Sequence, residues 1–322
     1  VWKLRFMPSE AGEWTYTWSF SDGGKSGEGA FTAVEEGARP GVLKVDDQYP
    51  RRLRNDDGYF YPATIEMHYG EQLAYNINDY KHNYDTYIDL GCNMVGFLAL
   101  PTWDFTTWQV NPVNNGGKSD PFITIWYQTK KHREGDASMY DTDRMLLFTW
   151  KRLEQHIGYL ADKGVYVFPF QGFNIKPGRN AEIDPAQFPS EKYDWYIRYC
   201  MARLAPFYNM IWNNTWEHDN GLSKLLEGLD AYDPWRHLRM RVASRGNDRL
   251  DINDGDRSPE EVPATSSKPW IITENNDRTG LWGDAGGASG TARMNQDKVL
   301  GLSWRYIMRS APVFILEVDY KG

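Results

Sequence analysis

Phe207–Gly221 reads FYNMIWNNTWEHDNG, and the architecture of the chain turns on this stretch. A short apolar run (Phe207, Tyr208, Met210, Ile211, Trp212) ends abruptly in polar residues, with Glu217 among them. A strand buried on both faces of a parallel sheet reads as a continuous apolar run. In a barrel of such strands the chemistry sits where the strands end. Lys268–Asn276, KPWIITENN, has the same form and closes on Glu274. Two strand-ending glutamates point to two carboxylates meeting at one rim.

Outward from this stretch, the chain from about Leu43 alternates strand and helix patterns. Strands are expected at Tyr59–Met67, Asn93–Leu100, Val165–Phe170, the Phe207 stretch, Leu238–Ser244, Arg249–Asp254 (weakly), Pro269–Asn275 and Val313–Val318. One helix carries Leu73, Ile77, Tyr80, Tyr84, Tyr87 and Ile88 at helical spacing and stops at Gly91. A second, capped by Asp141 or Asp143, shows Leu146, Trp150, Leu153, Ile157 and Leu160 and ends at Gly164. A third has Tyr193, Tyr196, Ile197, Cys200, Met201 and Leu204 on one face, and another is expected near Ala292–Ser310. No helix is visible between the fifth and sixth strands. Eight strands with helices between them, over ~250 residues, fit the (β/α)8 (TIM) barrel of the α/β class. Pro101–Tyr140 reads as a long polar connection bearing Trp103, Trp108 and Trp126, and connections of that length are usually functional.

Residues 1–35 read differently. WKLRF and TYTWSF alternate on either side of a turn, with Tyr16, Trp18 and Phe20 on one face. Two or three antiparallel strands do not make a stable domain alone. Residues 1–38 are therefore expected to be the C-terminal part of an antiparallel β-sandwich, and 39–322 the barrel, its C-terminal completeness left open. The chain opens at Val1 inside a strand pattern and reads as a fragment or processed form, expected to be secreted, periplasmic or at the cell surface.

The chain has 322 residues and a formal net charge of −8, with a pI near 5.4. That balance argues against a nucleic-acid partner. No apolar run approaches ~18 residues, so no membrane span is expected. Cys92 and Cys200 sit in apolar surroundings and imply no disulfide framework. Fourteen Trp and 20 Tyr are an unusually rich aromatic complement. Flat rings with a polar edge suit stacking on sugars in a wet cleft, although a large core uses aromatics too.

Hydrolysing a glycosidic bond needs one carboxylic acid to protonate the leaving oxygen and a second carboxylate, as nucleophile or as base for water. Glu217 and Glu274 fit that pair, facing each other across an eight-stranded ring. Glu317 in FILEVDY is a rival to Glu274. A carboxyl separation near ~5.5 Å implies retention and ~6.5–9.5 Å inversion. Trp212 and Trp216 are expected to supply an apolar wall that keeps the acid protonated. Around the pair, Glu66, His68, Trp103, Asp104, Gln171, Asn174, Asn214, Trp216, His218, Trp282 and Glu317 are candidates for binding substrate. Each of these also reads as an ordinary polar or aromatic loop residue. His237 in DPWRHLRM reads as structural. No HxH or HExxH spacing is present, and no metal or other cofactor is expected.

Several segments resemble barrel glycoside hydrolases. DAYDPWRHLRMRVAS (Asp230–Ser244) resembles the Asp-Pro-Tyr-Arg-His-Pro segment that follows their acid/base strand. MIWNNTWE and KPWIITENN resemble the endings of their acid/base and nucleophile strands. YDTDRMLLFTWKRLEQHIGYLADKGVYVFPF is similar to the helix and strand at the third barrel unit. WKLRFMPSEAGEWTYTWSFSDG resembles the end of an immunoglobulin-like domain ahead of such barrels. Together they resemble the apiosidase-like and agarase-like polysaccharide hydrolases. The resemblance implies a retaining enzyme on a plant or algal polysaccharide, with Glu217 as acid/base and Glu274 as nucleophile. Thr215 and Trp216 separate Asn214 from Glu217, where the commonest family pattern has Asn directly before Glu. Two other classes stay open: a non-catalytic carbohydrate-binding protein on this scaffold, and a polysaccharide lyase using a Tyr or His base with a charge-neutralising Arg.

Overall fold

The computed structural model describes residues 3–35, 39–66, 77–97, 125–129, 140–169, 172–174, 183–216, 218–242, 248–254, 267–272, 304 and 313–317. The chain begins with an antiparallel hairpin, β1 (Gly12–Ser19) and β2 (Ser26–Ala33), in which Trp14 pairs with Phe31, Tyr16 with Gly29 and Trp18 with Gly27. A small antiparallel sheet follows: β3 (Lys44–Val45), β4 (Leu53–Asn55) and β5 (Gly58–Phe60).

The main body then alternates strands and helices. In order they are β6 (Thr64–Glu66), α1 (Ile77–Asp89), β7 (Met94–Phe97), a β8–β9 hairpin (Trp126–Gln128, Tyr140–Met145), α2 (Leu147–Asp162) and β10 (Tyr166–Pro169). A short 3₁₀ turn (Pro185–Gln187), α3 (Ser190–Leu204), β11 (Trp212–Trp216), α4 (Leu222–Tyr232) and β12 (Arg239–Val242) come next. The last strands are β13 (Asn253–Asp254), β14 (Trp270–Ile272) and β15 (Val313–Glu317).

Six strands form an all-parallel sheet in the order β10-β7-β6-β15-β14-β13, and β11 and β12 form a parallel pair. Backbone hydrogen bonds join the two sheets at both edges. On one side Val167 N–H donates to Asn209 O (2.7 Å) and Ile211 N–H to Val167 O (2.8 Å). On the other, Asp251 and Ile252 N–H donate to Arg239 O (2.9 and 3.1 Å).

The strands bury both faces, and period-two alternation sorts their side chains into two cores. Met94, Tyr166, Phe168, Ile211, Met240 and Ile271 share one with Val42, Leu43, Leu53 and Phe60 from around β3–β5. Val95, Val167, Met210 and Trp212 share the other with the apolar faces of the four helices. The β3–β5 sheet lies against the beginnings of the strands. Tyr166, the first residue of β10, packs its ring on Phe60 (centroids 4.9 Å apart) and donates its hydroxyl to Gly41 O (2.8 Å). The C-terminal strand ends lie at the opposite edge.

Two helices are stopped by the glycines expected from sequence. At the end of α1, Gly91 (φ +93°) donates to Ile88 O and Cys92 to Tyr87 O. At the end of α2, Gly164 (φ +75°) donates to Ala161 O and Val165 to Leu160 O. This paired pattern satisfies the last helical carbonyls and turns the chain straight into the next strand. All six expected core residues of α3 are buried.

Other expectations need correcting. Neither Asp141 nor Asp143 caps α2: the helix starts after Leu146 with no side-chain cap. Tyr140–Met145 is instead β9, and Lys192 Nζ holds Thr142 Oγ1 (2.5 Å) and Asp143 Oδ1 (2.6 Å). Trp126 belongs to β8 rather than to a polar connection, and it is fully buried against Phe188 and Tyr196. Tyr59 and Phe60 belong to β5 of the antiparallel sheet, so β6 starts later than the strand expected at 59–67. β11 starts at Trp212, near the end of the apolar run, because the preceding residues turn after α3. The sixth strand is real but two residues long, and the described residues before it, 248–252, form a turn. The helix expected at 292–310 lies outside the described residues apart from Trp304.

Gly96 of β7 meets the fully buried Phe168, whose ring lies 2.7 Å from where a Cβ would stand. Gly96→Ala therefore overpacks a rigid core and should cost about 1–3 kcal/mol. A urea-denaturation midpoint equal to that of the unmutated protein would count against this packing.

Candidate active site

The C-terminal strand ends carry the candidate residues. Glu317, last in β15, is the register partner of Glu66, last in β6. Glu66 in turn pairs with Gly96, and Gly96 with Phe168. The backbone thus sets Glu66 and Glu317 side by side at one level on adjacent parallel strands. β13 is present, so among the parallel strands β6, β7 and β10–β15 the seventh in chain order is β14 and the eighth β15. Glu217 follows β11 directly in sequence, and Glu274 stands two positions after β14. Glu217, Glu274, His68, Trp103, Asp104, Gln171 and Trp282 lie outside the described residues. Trp216 is described as the last residue of β11.

β11 departs from regular pairing near its end. Trp212 and Asn213 pair with Arg239 and Met240, but Trp216 pairs with Val242, so β11 carries one extra residue there. Bulges of this kind bend a strand and re-aim its side chains, and they are over-represented next to active sites. The bulge is held from the side by residues 172–174. Phe173 N–H donates to Asn214 O (3.1 Å). Gly172 has φ +74°, and a Cβ on it would strike the Asn214 carbonyl.

The loop after β11 is tied down by side chains. Thr215 Oγ1–H donates to His218 O (2.5 Å), and Asn220 N–H donates to His218 Nδ1 (3.1 Å). That bond makes Nδ1 an acceptor and places the ring hydrogen of neutral His218 on Nε2. Asn220 Nδ2–H donates to Asp184 Oδ2 (2.8 Å), and Asp184 Oδ1 also caps the 3₁₀ turn through Ala186 N–H (3.0 Å). The Asn174 amide is engaged at both ends: its Nδ2–H donates to Asn220 O (3.1 Å) and its Oδ1 accepts from Tyr193 (3.1 Å). Burial pushes the Tyr193 hydroxyl far above the ordinary tyrosine range, so it stays a donor. Asn174 thus braces the loop. Asp184 escaped the sequence reading, and its one available signal is the Asp-Pro step at 184–185.

The Asn214 side chain is not tied down in this way. It is fully buried, yet neither Oδ1 nor Nδ2 has a hydrogen-bond partner. Buried polar groups are nearly always paired, so an unpaired amide at a strand end is a candidate for binding substrate.

Trp212 does not form a wall at the strand end. Its ring lies in the helix-side core, and its Nε1–H donates to Asp233 Oδ2 (2.7 Å). Burial alone would raise the Asp233 carboxyl. The hydrogen bonds and charge of His237, with the Trp212 N–H, outweigh it and hold the group below the usual carboxylate range. Among the described residues no group of three or more His, Cys, Asp or Glu could hold a metal ion, and no helix is long and apolar enough to cross a membrane.

No protein-family model and no curated protein sequence matches the chain. Solved structures do. A candidate glycoside hydrolase from Bacteroides vulgatus ATCC 8482 superposes with a TM-score of 0.72 at 20% identity, over 99% of this chain and 63% of its own. A glycoside hydrolase family 5 structure from the same organism gives 0.59 at 18%, over 87% and 64%. An exo-β-1,4-mannosidase from Opitutaceae bacterium strain TAV5 gives 0.53 at 12%, over 84% and 54%. The chain spans less than two thirds of the length of each. At these identities the likeness shows the fold: the chain shares the α/β architecture of these glycoside hydrolases.

Two measurements follow from the asparagines and the buried aspartate. Asn214→Ala should leave the thermal midpoint of the sugar-free protein unchanged or raised, because it removes unpaired polar atoms. Asn174→Ala should cost about 1–3 kcal/mol, because it strands its partners. The opposite ranking would overturn the assignment of the orphaned amide. A carboxyl with a depressed folded pKa stabilises the fold above its unfolded value and loses that contribution as pH falls. The stability gap between the wild type and Asp233→Asn should therefore be widest above pH 3.8, the ordinary aspartate value, and close as the solution is acidified below it.

Proposed function

We propose that the chain is a glycoside hydrolase whose eight parallel strands, β6, β7 and β10–β15, close into a (β/α)8 barrel with its active site at the C-terminal strand ends. Closure is supported by the backbone hydrogen bonds at both sheet edges and by the inner core, which among the described residues is filled mainly from the strands and the residues around the β3–β5 sheet, with Ala161 of α2 at its margin. The observation that carries the functional reading is where the glutamates fall. Glu66 and Glu317 are the last residues of neighbouring strands, and Glu217 and Glu274 come one and two positions after the ends of β11 and β14. A two-carboxylate hydrolase with its site at the C-terminal strand ends requires acids at or just past those ends in sequence, and four strands of this chain supply one.

In this reading Glu217 protonates the leaving oxygen while Glu274 attacks the anomeric carbon, and the glycosidic bond breaks as the glycosyl-enzyme bond forms. Water then cleaves that ester, with Glu217 taking its proton. Glu66 and Glu317 accept hydrogens from sugar hydroxyls, Asn214, His218, His68, Asp104 and Gln171 add further hydrogen bonds, and the rings of Trp103, Trp216 and Trp282 stack on the sugars. Asn174 keeps the loop after β11 in place. The substrate is a plant or algal polysaccharide or its oligosaccharides, and the protein meets it in the periplasm, at the cell surface or outside the cell.

The same proposal gives residues 1–38 to the end of a β-sandwich domain. The β1–β2 hairpin leaves Tyr16, Trp18 and Phe31 exposed on one face, as expected of a sheet that another sheet covers. Phe6 packs on Trp14 and on Trp235, and Arg5 pairs with Glu154, which also holds Arg203. These contacts fasten the hairpin to the main body.

Glu217→Gln and Glu274→Gln should each lower turnover by about 10²–10⁴-fold with an unchanged circular-dichroism spectrum. Reducing-end release across a panel of plant and algal glycans reads the effect. Wild-type rates in both variants would sink the assignment. Glycan binding by the wild-type protein with no reducing ends released would favour the non-catalytic reading. The anomer first seen by NMR decides between retention, expected here, and inversion.

A further inference from the structure

The turn between α4 and β12, Asp233–His237, is more heavily cross-linked than a connection requires. Asp233 ends α4, its N–H donating to Leu229 O (3.0 Å). Its carboxylate accepts from Trp212 Nε1–H (2.7 Å), the backbone N–H of His237 (2.9 Å), the backbone N–H of Trp235 (3.2 Å) and His237 Nδ1 (3.0 Å). On its other side the imidazole sets Nε2 3.0 Å from Phe207 O. Both side chains are buried, His237 completely. The turn also holds Arg236 at φ +55°, a left-handed conformation that a non-glycine residue keeps only where its surroundings enforce it.

A carboxylate and a carbonyl can only accept hydrogen bonds. A neutral imidazole has one bare nitrogen, and here either choice would point a lone pair at an acceptor. The ring satisfies both neighbours only with a hydrogen on each nitrogen. We propose that His237 is held as a buried imidazolium paired with Asp233, and that the pair positions β11 and the acid at its end. The second half rests on the function proposed above.

The geometry gives the route. Phe207 and Trp212 bracket the chain entering β11, and the pair grips both of them. Trp212 N–H also donates to Leu238 O (2.8 Å), the residue after His237. The start of β11 is therefore fixed against α4 and β12 before the strand reaches its bulge. Asp233 is the titratable side chain that faces His237. From β11 it meets the Trp212 ring (centroids 5.3 Å apart) and from the preceding segment the Phe207 carbonyl. His237 and Asp233 are positioning residues in this scheme, since they act through the strand.

Nitrogen-15 NMR of the wild-type protein tests the first half without any activity assay. With an acceptor on each side of the ring, both nitrogens of His237 should carry a hydrogen in the folded protein at about pH 7. A bare ring nitrogen there would overturn the ion pair. Kinetics of His237→Gln, Asp233→Asn and the double variant test the second half. Misplacing a strand-end group should lower kcat about tenfold to a hundredfold with KM changed less than about twofold. The double variant, with no buried charge left unpaired, should be no worse than either single one. Unchanged kcat in folded single variants, or additive losses in the double, would refute positioning. Should Glu217→Gln keep full activity, the reaction assignment falls while the ring-nitrogen result stands on its own.

Discussion

The structure depends on one constraint: short parallel strands whose two faces must both be kept from water. β7, β10 and the chain around β11 and β12 meet it by sending alternate side chains into two different cores. One set is covered by the helices α1–α4. The other packs on itself and on the β3–β5 sheet, which lies at the strand beginnings. The same arrangement explains the close approach of Phe168 to Gly96, where a larger residue has no room. It also leaves the C-terminal strand ends as the edge where polar chemistry can gather.

β11 shows how a rigid support and an unsatisfied site coexist on five residues. Its beginning is gripped through Trp212 by Asp233 and through Phe207 by His237. Its far half bulges and is propped by residues 172–174, and the loop beyond is held by Asn174, Asp184 and Thr215. Within this scaffold both polar atoms of the buried Asn214 amide are left without a hydrogen-bond partner. Preorganised support around one orphaned polar group is what a binding site needs, because ordering costs are met on folding rather than on binding.

Where the sequence could be read, a local physical rule governed the outcome. Gly91 and Gly164 stop helices because they adopt positive φ with little strain, whatever surrounds them. The α3 stripe from Tyr193 to Leu204 is buried because its spacing allows one apolar face. α4 carries a comparable signal in Leu222, Leu225, Leu226 and Leu229, all buried. The misreadings had distant causes. Tyr140–Met145 looks like a helix start until Trp126–Gln128 pairs with it. Trp212 looks like a cleft wall until Asp233, 21 residues on, takes its indole N–H.

The sequence by itself determined the periodicity: apolar runs of strand length, helical stripes between them, glycine stops, and glutamates at or just past the runs. These follow from neighbours a few positions apart, which is all that backbone geometry and side-chain spacing need. Only the tertiary structure decided which strands adjoin, that Glu66 and Glu317 share a level, which face of each strand meets helices, and which asparagine is satisfied. Those outcomes depend on hydrogen bonds and packing between residues tens to hundreds of positions apart, whose partners no local pattern specifies.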